Sequence, residues 1–252
     1  MSQAIGRIEI LPDAPALAHH VAEWMTQAAL AARGPFRVSL SGGSTPKTLY
    51  ALLASDEFRP RFPWPRVFWY WGDERFVPHD DPESNYRMTR EAMLATAPVP
   101  PQNVHPIPTD GDPDDAAQRY ERTLQEAYGA ATLDAQRPLF DLTLLGLGPD
   151  GHTASLLPGE PVLNERRRWV AAVSHGRPEV RITMTYPAIE SSRRVAFLVA
   201  GKEKAPIFSA IRAGNCRAPA ARVRPVGELI WFVDRAAAGE ANEPRRAGAQ
   251  TR

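Results

Sequence analysis

Short apolar runs alternate with longer amphipathic segments along the chain. Candidate strands are Phe36–Leu40, Val67–Trp71, Leu139–Leu145, Trp169–Val173, Val180–Met184, Val195–Ala200 and Leu229–Val233. Each is short, bounded by turn residues and rich in Val, Leu, Phe or Trp, as a strand buried on both faces should be. Helix signatures lie between several of them. Asp13 is placed to cap a helix with Leu17, Val21, Met25 and Ala28 on its apolar face. Thr45-Pro46 offers a capping hydroxyl before a proline at the first helical position, followed by Leu49, Leu52 and Leu53. Asp81-Pro82 and Asp112-Pro113 repeat that start signal, and the second leads into Ala116, Tyr120, Leu124 and Tyr128. The series predicts a single α/β domain whose mostly parallel sheet is covered by helices on both faces. Its expected extent is residues 1–235. Ala97–Pro101 reads as a loop, and Ala236–Arg252, without apolar periodicity, as a mobile tail.

Composition narrows the function classes. The 252 residues carry 30 Lys plus Arg against 29 Asp plus Glu, a net charge of +1 that argues against a nucleic-acid groove. At 43% hydrophobic and 23% charged, the chain has globular rather than disordered composition. The single cysteine, Cys216, forms neither an intramolecular disulfide nor a cysteine zinc site and reads as a small buried hydrophobe. The N-terminus lacks the basic start and apolar run of a signal peptide, and no stretch is long enough to span a bilayer. A soluble cytoplasmic protein is expected, without nucleic-acid or membrane partners.

Ligands of open parallel sheets gather at the carboxyl ends of the strands, and three turns there stand out. Ser41-Gly42-Gly43-Ser44-Thr45-Pro46 opens a helix with unpaired N–H groups and two hydroxyls, suited to an anion; the same residues also suit a plain capped turn. Asp73-Glu74-Arg75, after Gly72, reads by itself as a solvated rim with a local ion pair. Gly146-Leu147-Gly148-Pro149-Asp150-Gly151-His152-Thr153 holds a histidine between glycines with a carboxylate two residues earlier. That setting suits a general base, the alternative being a structural histidine capping a following helix. No metal-ligand spacing is present, so no metal is expected.

Taken together the turns resemble those of the 6-phosphogluconolactonase family, within the larger glucosamine-6-phosphate isomerase/deaminase group. The matching phrases are Ser41–Pro46, Trp71–Pro78 with Ser84-Asn85-Tyr86, Gly146–Pro158, Arg181–Thr185 with Pro187-Ala188-Ile189, and Gly201–Ala205. The resemblance runs to Trp231–Asp234. It implies a Rossmann-like fold of the NagB/RpiA type and cofactor-free hydrolysis of 6-phospho-D-glucono-1,5-lactone to 6-phosphogluconate in the oxidative pentose phosphate pathway. A monomer or small homo-oligomer is expected. His152 would be the base for water attack, with Asp150 orienting it or shaping its loop. Gly43, Ser44, Thr45, Arg181 and Lys204 would hold the phosphate, with Gly42 in the same turn. Arg75 would be a further cationic contact, and Asp73 and Gly151 would support the site. The amides near Gly42 or Gly151, or Arg75, are candidate oxyanion donors.

Two departures from the family pattern are Leu157, where Phe is common, and Arg217-Ala218-Pro219-Ala220 in place of Leu-Pro-Ala. The related deaminases share Asp73, Asp150 and His152 but end the histidine loop in Asn-Glu-Pro, and Leu157 replaces that glutamate. A non-catalytic sugar-phosphate sensor would call for an attached DNA-binding module, and the sequence shows no helix-turn-helix and no basic face.

Overall fold

The computed structural model describes residues 5–240. The strands are β1 (Arg7–Leu11), β2 (Phe36–Leu40), β3 (Val67–Trp71), β4 (Asp73–Arg75), β5 (Val104–His105), β6 (Leu142–Gly146), β7 (Val170–Val173), β8 (Arg181–Met184), β9 (Arg194–Val199) and β10 (Glu228–Asp234). Seven form one sheet in the order β1-β10-β9-β6-β2-β3-β5, parallel throughout. The remaining three form an antiparallel sheet, β4-β8-β7. Leu142–Leu145 of β6 and Val195–Val199 of β9 are buried at every position, as strands covered on both faces must be.

The helices are α1 (Ala14–Ala31), α2 (Ser44–Leu53), α3 (Asn85–Thr89), α4 (Pro113–Tyr128), α5 (Tyr186–Glu190), α6 (Ala205–Arg212) and α7 (Arg235–Ala238). The expected caps of α1 and α4 are present. Asp13 Oδ1 accepts from Ala16 N at 2.8 Å, and Asp112 Oδ1 accepts from Asp114 N and Asp115 N at 2.9 and 3.2 Å. Leu17, Val21 and Met25 on α1, and Ala116, Tyr120, Leu124 and Tyr128 on α4, face the core.

Several expectations are corrected. Thr45 caps nothing: α2 starts two residues earlier, at Ser44, with Gly43 at its N-cap and no side-chain cap. Asp81-Pro82 starts a turn rather than a helix, because Asp81 accepts from Glu83 N and Ser84 N, and α3 begins at Asn85 under the Ser84 hydroxyl. The runs around Val170–Val173 and Arg181–Met184 pair with each other antiparallel, outside the parallel sheet. β4 is no solvated rim, since Asp73 and Glu74 are 6% and 1% exposed. β1 and β5 went unseen because one is a half-exposed edge and the other spans two residues. The expected tail begins as the end of α7, with Ala237 and Ala238 buried, and its residues 241–252 lie outside the described residues. Cys216 is half-buried rather than buried, its Sγ accepting from Ala218 N. Among the described residues no helix is long and apolar enough to cross a membrane.

Two tyrosines secure the ends of the central strands. Tyr50 Oη accepts from Ser41 N at 2.9 Å and donates to Ser41 O at 2.8 Å, and Tyr120 Oη does the same at Trp71, at 2.8 and 3.0 Å. Both rings are fully buried, so each hydroxyl satisfies a main-chain amide and carbonyl that water does not reach. Tyr50→Phe is expected to cost about 1–3 kcal/mol in urea unfolding, the penalty of a buried amide left unpaired. A loss below about 0.5 kcal/mol would show that the hydroxyl is dispensable.

Candidate active site

From β2 the chain moves outward to β3 and β5, then returns to lay β6 on the other side of β2. The loops after β2 and β6 therefore diverge, which opens a crevice at the carboxyl ends of the strands. A cleft of ≈ 230 Å³ lies there. Gly42, Gly43, Ser44, Thr45, Asp73, Arg75, His152, Arg181 and Lys204 all line it. Asp150 and Gly151 do not, standing behind His152 in the same loop.

One wall is the start of α2. Its first amides, those of Ser44 and Thr45, have no acceptor among the described residues, and Gly43 brings no side chain to cap them. Such an end attracts anions. Gly42 is required by close approach: a Cβ there would lie 2.0 Å from Asn85 Oδ1. Asn85 is held in turn by Glu74, whose carboxylate accepts from the amides of Arg75, Asn85 and Tyr86 and from the Ser84 hydroxyl, at 2.7–3.0 Å. Burial pushes the Glu74 carboxyl up, and those four hydrogen bonds oppose the shift. Asn85 then donates to Asp73 O at 2.9 Å and accepts from Arg75 Nη1 at 3.1 Å.

The cations come from three elements. Arg75 and Arg181 are register partners across β4 and β8, so two like charges stand on one face of the sheet, an arrangement that costs stability unless an anion compensates it. Glu179 Oε1 lies 3.5 Å from Arg181 Nη2. Its own amide, and the charges of Arg181 and Arg75, hold the Glu179 carboxyl below the ordinary range. Arg75 Nε, Arg181 Nε and Thr153 Oγ1 are nevertheless buried with no hydrogen-bond partner among the described residues, an uncommon state for polar atoms in a folded protein. Lys204 stands at the mouth of α6, after a turn whose Gly201 amide is held by the Asp234 carboxylate at 3.1 Å.

The opposite wall carries the histidine. Asp150 Oδ1 accepts from His152 N at 3.1 Å and sits 2.5 Å from His152 Nδ1. A carboxylate only accepts, so Nδ1 carries the proton and Nε2 is the basic nitrogen, free of protein partners among the described residues. Burial works against the Asp150 charge, yet the hydrogen bonds from the His152 ring and amide, aided by the His152 and Arg177 charges, hold its carboxyl below its ordinary 3.8. Asp73 accepts from Ser155 Oγ at 2.7 Å, which ties this loop to β4. No helix follows His152; the chain turns instead through Ala154, at φ +47°. A non-glycine residue there marks strain of the kind active-site loops retain. Gly151 N donates to Gly148 O at 2.9 Å, so that amide is already engaged. Among the described residues no three His, Cys, Asp or Glu side chains gather as a metal site would need.

The roles of Glu74, Ser155 and Arg177 were not visible in the sequence. Asn85 stood in a recognised phrase, but only the contact with Gly42 shows what it does.

Fold and cleft together define an α/β protein with a cationic, amide-lined wall facing a carboxylate–histidine pair. The chain belongs to the family of glucosamine-6-phosphate isomerases/6-phosphogluconolactonase, whose model matches residues 12–231. It is 38% identical to the 6-phosphogluconolactonase of Nostoc sp., over 92% of this chain and 97% of that one. It is 43% identical to the Synechocystis sp. 6-phosphogluconolactonase, over 83% and 86% of the two chains. The solved 6-phosphogluconolactonase of Thermotoga maritima superposes with a TM-score of 0.77 at 32% identity, covering 90% of this chain and 99% of that one.

The contact between Gly42 and Asn85 yields a direct test of the cradle. Inorganic phosphate is expected to raise the wild-type Tm progressively with concentration, as any ligand of the native state does. Gly42→Ala, which must displace Asn85 and loosen Arg75, should show little of that rise while remaining folded. An undiminished rise in the variant would separate the cradle from Asn85.

Proposed function

We propose that this chain is a 6-phosphogluconolactonase, hydrolysing 6-phospho-D-glucono-1,5-lactone to 6-phosphogluconate. The observation that carries the reading is the Asp150–His152 pair, with its free Nε2, across a small cleft from a cationic, amide-lined cradle. The names of the curated relatives support the same substrate.

In this reading the substrate phosphate sits on the amides and hydroxyls of Gly43, Ser44 and Thr45 and on Arg181 and Lys204, with Arg75 as a further cation. These are charge-assisted contacts, the stronger kind. Anchoring the distal phosphate fixes the lactone carbonyl near His152, so binding energy remote from the reacting bond serves the chemistry. His152 Nε2 removes a proton from water as its oxygen bonds to C1, and the carbonyl electrons move onto oxygen. Asp150 steadies the imidazolium. Gly42 N or Arg75 faces the oxyanion, the type of contact that contributes most when preorganised. When the carbonyl re-forms, the bond from C1 to the ring oxygen breaks, and the proton on Nε2 passes to that oxygen. The product is an open-chain carboxylic acid, which releases its proton to solvent to give the carboxylate. No atom changes oxidation state, so the step calls for no redox cofactor.

The same reading takes residues 1–235 as one unit acting in the cytoplasm as a monomer or small homo-oligomer. Against the deaminase branch of the family stands Leu157. It is 3% exposed and lies outside the cleft lining, so the glutamate position of the resembling deaminases holds a buried apolar side chain here.

Purified protein is expected to accelerate hydrolysis of freshly generated lactone above the spontaneous rate and to release no ammonia from glucosamine 6-phosphate. His152→Ala should lower kcat by about 100-fold or more with the fold intact. Ammonia release without lactone hydrolysis would overturn the assignment, and near-normal kcat in the variant would remove His152 from the chemistry.

A further inference from the structure

The connection from β7 to β8 carries a side chain that the proposed chemistry leaves unused. Arg177 Nη2 lies 3.1 Å from Asp150 Oδ2 and 3.3 Å from His152 Nδ1. Asp150 thus divides its oxygens: Oδ1 serves the His152 amide and ring, and Oδ2 has Arg177 as its partner. Guanidinium only donates, so with the proton on Nδ1 the approach of Arg177 to that nitrogen is a contact between two donors. Its attractive partner is the carboxylate alone.

The position of Arg177 is built by the chain around it. Gly176 adopts φ +78°, and a Cβ there would come within 3.0 Å of Leu157 Cδ1 and Glu160 Oε1. The turn is therefore pressed against the far end of the histidine loop itself. Pro178 restricts the backbone of Arg177 from the other side. Val180 O, accepting from Phe76 N at 2.8 Å, pins the end of the connection just before Arg181. An isolated ion pair about a third exposed on the Arg177 side is worth little for stability, but orientation of a base is a separate matter.

We propose that Arg177 is a positioning residue for the histidine: by holding Asp150 Oδ2 it fixes the carboxylate plane so that Oδ1 accepts from Nδ1 and Nε2 stays unprotonated towards the cleft. Without Arg177 the carboxylate keeps its charge but loses the partner that prevents its rotation. The effect of Arg177 accordingly runs through Asp150. This inference rests on His152 being the base.

The test is a double-mutant cycle on the full chain with 6-phosphogluconolactone, using Arg177→Ala, Asp150→Asn and the double variant, with Arg177→Gln as a second replacement and His152→Ala as reference. Arg177→Ala and Arg177→Gln are expected to lower kcat about ten-fold, the scale of a modest misplacement of a reacting group. KM should be nearly unchanged, because no phosphate contact is touched. In the Asp150→Asn background, removing Arg177 should change kcat by less than about two-fold, since coupled residues do not add. Wild-type kcat in both single Arg177 variants overturns the proposal, as does an equal fold-loss in both backgrounds or a loss confined to KM. If His152→Ala is itself fully active, the underlying reading fails together with the proposal. If His152→Ala is inactive and Arg177→Ala is normal, only the proposal fails.

Discussion

Two hydrogen bonds at Gly72 hold the molecule in its working shape. Gly72 N donates to Leu40 O at 2.8 Å, at the end of β2, and Gly72 O accepts from Met184 N at 2.7 Å, at the end of β8. The residue thus belongs to both sheets. β3 leaves the parallel sheet through it and becomes β4 of the antiparallel ribbon within one step. That junction sets the ribbon's main-chain relation to the parallel sheet, and the Ser155–Asp73 contact adds a tie to the loop after β6. Arg75 and Arg181 project from the ribbon into a cleft floored by the parallel sheet.

The electrostatics follow from this geometry. Pairing β4 with β8 in this register sets two guanidiniums opposite each other, and the start of α2 adds the positive end of a helix nearby. Buried strands do not collect like charges for stability. Glu179, 3.5 Å from Arg181, is a local counterweight, while Asp73 is engaged by Ser155. Glu74 serves a different purpose: buried and four-fold hydrogen-bonded, it organises the turn that presents Asn85 to Gly42 and Arg75. The imidazole across the cleft is set through Asp150 in its own loop, and Ser155 ties that loop to β4 at Asp73.

Much of this was legible in the sequence because it is local. The apolar strand runs, the Asp13 and Asp112 caps, and the glycine-framed loops at Ser41–Pro46 and Gly146–Thr153 are short-range features, and most of the residues they nominate line one cleft. Features that depend on distant pairing were not legible. Nothing near Asp73–Arg75 announces that β8, more than a hundred residues later, will bury it. For the same reason the charged triplet read as a rim, and β7 and β8 read as further members of the parallel series. Thr45 looked like a cap because Thr-Pro is a common start signal, whereas this helix leaves its first amides uncapped. Arg177 has no motif; it matters only because the turn at Gly176 packs on the histidine loop.

In the proposed function one end of the cleft anchors a phosphate so that the other can act on a carbonyl. It is tested most directly by measuring kcat/KM for wild type, Arg181→Ala and Lys204→Ala on two substrates, the phosphorylated lactone and plain gluconolactone. Loss of one charge-assisted contact should cost about 1.5–3 kcal/mol, roughly a 10–150-fold drop, on the phosphorylated substrate, with little change on the plain one. Equal losses on both substrates, or no loss on either, would contradict it.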